Sequence, residues 1–461
     1  TINDVTLTLD DIIIAISGSA KIADSVYTDL HATCSGINFA DVVKFAPDGI
    51  LDEVGVKRVE GKLNFSADIK GNITDTTHYP HIEANIDLKK GLVETAEYPL
   101  VKNIKLNVDA TTGNLDTDES ISLTINNFHF ETPQSSGTIK LTGCNINRPH
   151  YNVDGLFHAS MSEVAPFIPA DLGISQIAGS ADLSLKSKGF YAGSVNDAFI
   201  DRILRNTLAS LKLNQLCVAM DSVITIDNLN LNLDYANYGV NIKNTNVNLP
   251  DYDLQLKNIG LAAKVSNGIS DFSKTKIDLN KLHAEVEDSK IDLTANVSNL
   301  NQPNYQATLG LDVNIGNFQH FLPDSLAHSI SGGFAVDVKS HGIVNPDSIK
   351  SQIFDIVINN TEAGIQFNNI SADMYNSYIS FNNLAGNINI ANDSICVDKV
   401  NIDWQGLKLH LDSTLVQNAL KIFLLDQTDN KLQVLTKTSL DEFDYAWLDR
   451  LIPPTNSTTN D

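Results

Sequence analysis

His78 and His81 stand close enough in sequence to share a metal ion, but Tyr79-Pro80 between them predicts a turn, and the pair reads as loop rather than as ligands. Asp116, Asp118 and Glu119 gather three carboxylates. The glycine and the distal bidentate glutamate of a calcium loop are missing, so a solvated loop is expected there. Cys34, Cys144, Cys217 and Cys396 are widely scattered with no C-x-x-C, which predicts single buried thiols rather than a zinc site or a disulfide scaffold. Asp221-Ser222-Val223, Asp324-Ser325-Leu326, Asp347-Ser348-Ile349 and Asp393-Ser394-Ile395 are Asp-Ser-aliphatic triplets whose short polar side chains suit turns and caps. No Gly-x-Ser-x-Gly elbow, His-Glu-x-x-His pair or phosphate-cradling glycine loop occurs. The 12 Tyr and 2 Trp are few for the aromatic platforms of a carbohydrate-binding surface. The expectation is a protein without enzymatic activity, with no metal and no cofactor.

The elements that carry these residues are strands. Leu63, Phe65, Ala67 and Ile69 alternate with Asn64, Ser66, Asp68 and Lys70. Leu229, Leu231 and Leu233 alternate with Asn230, Asn232 and Asp234, and Phe334, Val336 and Val338 with Ala335, Asp337 and Lys339. Leu407, Leu409 and Leu411 repeat the pattern. Strict period two puts one face of a strand in an apolar environment and the other in water. Helical stretches are few and short: Phe39–Phe45, Ser160–Phe167, Asn196–Asn206, Phe318–Leu322 and Ser439–Leu451. They cannot cover so much apolar strand surface, so the sheet must fold on itself or leave that face to a ligand. The 461 residues include 32 Lys+Arg against 56 Asp+Glu, a net charge of −24. That balance argues against nucleic acid, whose phosphates are neutralised by cations, and against docking on anionic headgroups. No apolar run reaches the ~18 residues of a membrane-spanning helix.

A long repeat organises the strands. Phe45-Ala46-Pro47-Asp48 precedes Gly61-Lys62-Leu63-Asn64-Phe65 and runs on to Gly71. Phe167-Ile168-Pro169-Ala170-Asp171 precedes Gly179 to Gly189, and Phe321-Leu322-Pro323-Asp324 precedes Gly332 to Gly342. Leu451-Ile452-Pro453-Pro454 begins a fourth copy. The reading is helix, proline stop, then a strand bracketed by two glycines. It divides the chain into the end of a preceding repeat (1–36), units over 37–158, 159–315 and 316–438, and a truncated start (439–461).

This pattern, with the following strand His81-Ile82-Glu83-Ala84-Asn85-Ile86-Asp87-Leu88-Lys89-Lys90-Gly91, resembles the repeat of AsmA-like proteins of Gram-negative envelopes, relatives of TamB. The resemblance implies a mostly β fold, an elongated repeating β-groove of antiparallel strands with short helices at the repeat junctions. It implies a periplasmic location, inner-membrane anchoring through an N-terminal helix absent from this chain, and an apolar groove that carries phospholipid toward the outer membrane. Groove-lining candidates are Leu63, Phe65, Ile69, Leu183, Leu185, Leu229, Leu231, Leu233, Phe334, Val336 and Val338. Expected partners are phospholipid acyl chains and outer-membrane components, and no nucleic acid. The rival reading is an assembly factor for outer-membrane proteins that acts by strand addition.

Overall fold

The computed structural model describes residues 2–9, 12–44, 55–220, 224–268, 271–321, 323, 326–346, 349–375, 379–404, 406–425 and 431–441. The fold is mostly β and antiparallel, with a few short helices. It divides into two compact units, residues 1–240 with 246–253, and 241–245 with 254–461. In the first unit the strands are β1 (Ile2–Leu9), β2 (Ile12–Ile22), β3 (Val26–Asn38), β4 (Val56–Asn72), β5 (His81–Thr95), β6 (Val101–Thr111), β7 (Ser122–Glu131), β8 (Ser136–Cys144), β9 (His150–Ser160), β10 (Ile174–Phe190), β11 (Thr207–Met220) and β12 (Ile224–Ala236). Strand β13 (Gly239–Leu249) is shared between the two divisions. The second unit holds β14 (Leu254–Ser266), β15 (Lys276–Val286), β16 (Ser289–Ser298), β17 (Asn304–Asn314), β18 (Ala327–Ile343), β19 (Thr361–Met374), β20 (Phe381–Ala391), β21 (Ser394–Trp404), β22 (Leu407–Gln417) and β23 (Gln433–Leu440). From β1 to β12, and again from β14 to β23, each strand pairs with its sequence neighbours. Each unit is therefore an open meander built from local pairings.

The repeat glycines have a role the sequence pattern misplaced. Strands β4, β10 and β18 are each 17 residues long, and they begin five residues before the first glycine rather than at it. Gly61, Gly179 and Gly332 occupy the same place inside these strands, each where the pairing register slips. Their φ angles are +141°, +103° and +91°. A Cβ at Gly179 would lie 2.5 Å from the Gln215 carbonyl oxygen, and one at Gly332 would lie 2.5 Å from that of Asn369. Only glycine fits a bulge pressed this closely on the neighbouring backbone.

Each bulge continues into the next strands through residues with left-handed backbone: Lys90 and Asn103 after Gly61, Gln215 and Asn228 after Gly179, Asn369, Asn383 and Lys399 after Gly332. Asparagine tolerates that conformation better than other side chains with a Cβ, which gives many of the chain's asparagines a structural task. Pairings β8–β9, β9–β10, β16–β17 and β17–β18 show no slip. A run of bulged strands thus alternates with a run of regular ones, and bulges bend a strand and sharpen its twist.

Helical segments fall where the repeat places them. Helix α1 (Phe39–Val43) joins β3 to β4, and α2 (Met161–Val164) with a 3-10 turn at Ala165–Phe167 joins β9 to β10. A 3-10 segment at Ile315–Phe321 joins β17 to β18. Pro169 and Pro323 follow their helical turns, while Pro47 and Pro453 lie outside the described residues. Helix α3 (Asp197–Arg205) matches the expected stretch, with Asn196 accepting from the Phe199 amide at 3.0 Å as its N-cap. Helices α4 (Ile349–Asn360) and α5 (Ala419–Leu425) are not among the stretches expected from the sequence. Of the expected helix at Ser439–Leu451, Ser439 and Leu440 end strand β23, and residues 442–451 lie outside the described residues.

Candidate functional site: the apolar face

In an antiparallel pair, residues directly opposite each other share a face, so the register traces each face across the sheet. In the first unit one row runs Leu63, Leu88, Leu106, Phe128, Ile139, Gly155, Leu185, Ala209 and Tyr235 through β4 to β12. The row beside it joins Cys34, Phe65, Ile86, Val108, Ile125, Leu141 and Val153. Leu183 faces Leu211, which faces Leu233. In the second unit Leu293, Leu309, Val338 and Ala363 form one row, and Ile291, Leu311, Val336, Ile365 and Ile388 the next. Phe334 faces Phe367.

The structure therefore gathers Leu63, Phe65, Ile69, Leu183, Leu185, Leu229, Leu231 and Leu233 on one face of the first unit. It gathers Phe334, Val336 and Val338 on one face of the second. All of them are half-buried. Across the same rows the sequence reading left out Leu88, Leu106, Phe128, Leu211, Leu309 and Ile365. Their alternation is legible, but which rows they join depends on register, which the bulges shift.

The helices cover these faces only in part. Within each unit the strands pack mainly on their sequence neighbours; α2 lies against β9 and β10, and in the second unit α4 and α5 touch each other and strands β18 to β21, with Ile358 of α4 buried. On the apolar face Leu123 remains 43% exposed and Ile277 36%. The well-buried apolar side chains are few among the described residues: Leu88, Ile104, Ile358, Ile370 and Val400 are the large ones apart from Tyr238. Near α2 the face deepens into a pocket of about 300 Å³ lined by Tyr98, Val101, Phe130, Phe157, Val164 and Phe167. Tyr98 and Phe167 stack there at 4.8 Å. Glu163 beside it is pushed up by burial, but hydrogen bonds from Ser135 and Thr132 and the Gln134 amide outweigh this and hold it below the usual range. It ties down the β7–β8 turn.

The opposite face is a lattice of cross-strand polar pairs. His31 meets Asp68 at 2.7 Å, His158 meets Asp182 at 2.7 Å, Asn85 donates to Asp109 at 2.7 Å, and His283 meets Asp292 at 2.7 Å. The hydrogen bond from His158 keeps the Asp182 carboxyl below its ordinary range, against partial desolvation. Depressions of about 380 and 520 Å³ also occur on this side, lined by residues such as Asp182 and Lys212, and Asp278 and Lys339.

Of the residues singled out for chemistry, His78, Asp116, Asp118 and Glu119 lie in loops and turns, while His81 opens strand β5. His81 meets Asp116 at 2.9 Å, Tyr79 donates to Asp118 at 2.6 Å, and Asp75 is held down to about 2 by the Thr77 amide and hydroxyl and the His78 amide. No cluster of metal-ligating side chains occurs among the described residues. The cysteines correct the expectation of burial. Cys34 is buried and donates to the Ile13 carbonyl at 2.8 Å, but Cys144 and Cys396 are exposed and Cys217 is half-buried. Alternation alone cannot say whether a thiol lies at a strand end or in a polar row. Asp393 of the fourth Asp-Ser-aliphatic triplet lies in the β20–β21 turn, where its carboxylate accepts from the Lys421 amide at 3.0 Å. The serines of the other three triplets lie outside the described residues.

No helix among the described residues is long and apolar enough to cross a membrane. No family model, no curated protein and no solved structure matches the chain.

Proposed function

We propose that this chain is a lipid-conducting groove, a periplasmic segment of an AsmA-like protein that helps carry phospholipid between the inner and outer membranes and so maintains the outer membrane. The observation that supports the reading is the row-by-row apolar face within each unit, which the short helices of that unit cover only in part. Such a face lowers the free energy of an acyl chain by about 0.8 kcal/mol per methylene taken from water. A continuous track lets that gain persist while the chain slides, so no catalytic residue is required. The polar lattice on the reverse side keeps the sheet wetted and leaves the apolar side to the cargo.

The test is native mass spectrometry of the purified chain, followed by extraction. Co-purified phospholipid at a defined stoichiometry is expected. A chain that is lipid-free and takes up no phospholipid from vesicles refutes the reading. The rival, strand addition to a client outer-membrane protein, is favoured by β23, whose eight residues are all exposed and which among the described residues pairs only with β22. A client strand protecting the β23 amides from hydrogen exchange would support it.

A further inference from the structure

The repeat element that precedes β10 has no part in the groove reading, yet it builds a cavity. Helix α2 lies against β9 and β10, and the Ala165–Phe167 turn continues it. Val164 and Phe167 line the pocket of about 300 Å³ from the helical side, and Phe130 and Phe157 line it from the sheet. Phe130, Gly137 and Phe157 stand opposite one another across β7, β8 and β9, on the apolar face. A Cβ at Gly137 would collide with the Phe130 ring and come within 3.1 Å of the Phe157 ring. The missing side chain lets both rings drop toward the sheet, which lowers the floor of the pocket. Val101 and Tyr98, the latter stacked on Phe167 at 4.8 Å, supply the β6 side.

The helical side is fixed before anything binds. Glu163 of α2 accepts from Ser135 Oγ at 2.6 Å, from the Gln134 amide at 3.0 Å and from the Thr132 hydroxyl. The Ser160 amide donates to Ser135 Oγ at 2.9 Å. These bonds occupy the polar groups beside the pocket, and His158 is engaged by Asp182 at 2.7 Å. The lining that remains is almost wholly carbon. A headgroup placed there would lose its water without gaining partners, and a peptide would bring backbone N–H and C=O groups to the same loss. The end of a hydrocarbon chain brings no such group. A preformed apolar hollow of this size is a binding site for such a ligand. An apolar cavity of about 150 Å³ holds benzene, about 25 Å³ per carbon, so about 300 Å³ has room for about twelve carbons.

The pocket is continuous with the apolar rows. Phe157 faces Leu183, which faces Leu211 and then Leu233. A chain lying along that row meets the pocket at its β9 end. We infer that the pocket under α2 receives the methyl end of one acyl chain, with the rest of that chain on the row of Leu183, Leu211 and Leu233. This inference deepens the groove reading and rests on it. The repeat junction is then a place where a lipid is held rather than only passed along, because each methylene taken from water favours the seated chain about fourfold.

The test uses the full chain and two phosphatidylcholines that differ only in where one acyl chain carries a diazirine, at its methyl end or beside its ester. After photolysis the labelled peptides are mapped by mass spectrometry. The methyl-end probe is expected to label the peptides of Val101, Phe130 and Val164 at least fivefold more than the ester-side probe does. Val164→Trp, which fills the pocket from α2, should cut that labelling at least fivefold and leave labelling at Leu211 and Leu233 in place. Its melting temperature checks the fold, and Val101→Phe fills the pocket from the strand side if α2 does not tolerate the larger ring. Labelling at Leu211 and Leu233 without the pocket peptides overturns the pocket and leaves the groove reading standing. Equal labelling of the pocket by both probes overturns the methyl-end assignment. Pocket labelling that survives in a folded, filled variant puts the chain outside the cavity and overturns the inference too. Pocket labelling with none at Leu211 or Leu233 from either probe overturns the groove reading, and with it the placement of the rest of the chain. No labelling of pocket or row overturns the groove reading and this inference together.

Discussion

Val336→Asp separates an open apolar face from a sealed core. Val336 is half-buried, with Leu311 opposite on one side and Ile365 on the other. Fully burying such a side chain is worth about 1.5–3 kcal/mol, so losing half of that burial costs about 1 kcal/mol. Replacing a β-branched residue by Asp in a strand adds up to about 1 kcal/mol. The sum is a loss of about 2 kcal/mol, with the carboxylate hydrated from the open side. In a sealed core the unpartnered charge would cost about 3–5 kcal/mol more. The effect on lipid is larger. A hydrated carboxylate holds an acyl chain off one rung, about 6.7 Å of strand. If that removes about three methylene contacts, the loss is about 2.4 kcal/mol, or roughly fiftyfold in occupancy. Urea unfolding gives the first quantity, and mass spectrometry of co-purified lipid gives the second. The control is Gln366→Asp, an exposed position on the polar face opposite Ala335 and Asn387, which should change neither. A stability loss beyond about 4 kcal/mol would make the face a sealed core. Unchanged lipid occupancy in a stable variant would mean that lipid does not travel over this face.

Other expectations follow from the same geometry. Gly332→Ala drives a Cβ to 2.5 Å from the Asn369 carbonyl oxygen at φ +91° and should destabilise by about 2–4 kcal/mol. Gly173→Ala, at φ +63° with nothing within 4 Å, should cost only about 1–2 kcal/mol, and equal losses in denaturant titrations would remove the close-approach argument. Asn228→Gly, at a bulge with φ +50°, should be nearly neutral, whereas Asn228→Val should lose about 1–2 kcal/mol. His283 is raised above its ordinary 6.5 by hydrogen bonds to Asp292 and Glu285, against partial desolvation. A raised histidine stabilises the fold fully below its unfolded value, and that contribution is lost as pH rises through the folded value. The difference in urea midpoint between wild type and His283→Gln should therefore be largest in mild acid and shrink above pH 6.5; a difference that grows with pH would contradict the pairing.

The legible part of the site was its phase. Phe65, Leu183 and Val336 occupy the same place in three 17-residue strands, and spacing from the repeat glycines was enough to put them together. What hid the rest were the bulges. Lys90, Gln215 and Asn369 each break the alternation by one residue, so reading period two through them assigns the wrong face beyond the break. The sequence does mark these places, with asparagine, lysine or glutamine interrupting an apolar alternation, but the same residues also mark ordinary hairpin turns such as Asn392-Asp393.

The sequence by itself determined that this chain is made of amphipathic strands, that a helical turn and a proline precede each long strand, and that its chemistry-bearing residues assemble no recognised catalytic motif. Those properties are local: they follow from side-chain period, from the fixed φ of proline and from residue spacing. Only the tertiary structure decided that the strands pair with their sequence neighbours, that Gly61, Gly179 and Gly332 lie inside strands rather than before them, and that the helices leave the apolar rows partly open. These depend on which backbone stands opposite which. A one-residue slip turns every later side chain to the other face, and nothing short of the pairing itself fixes that slip.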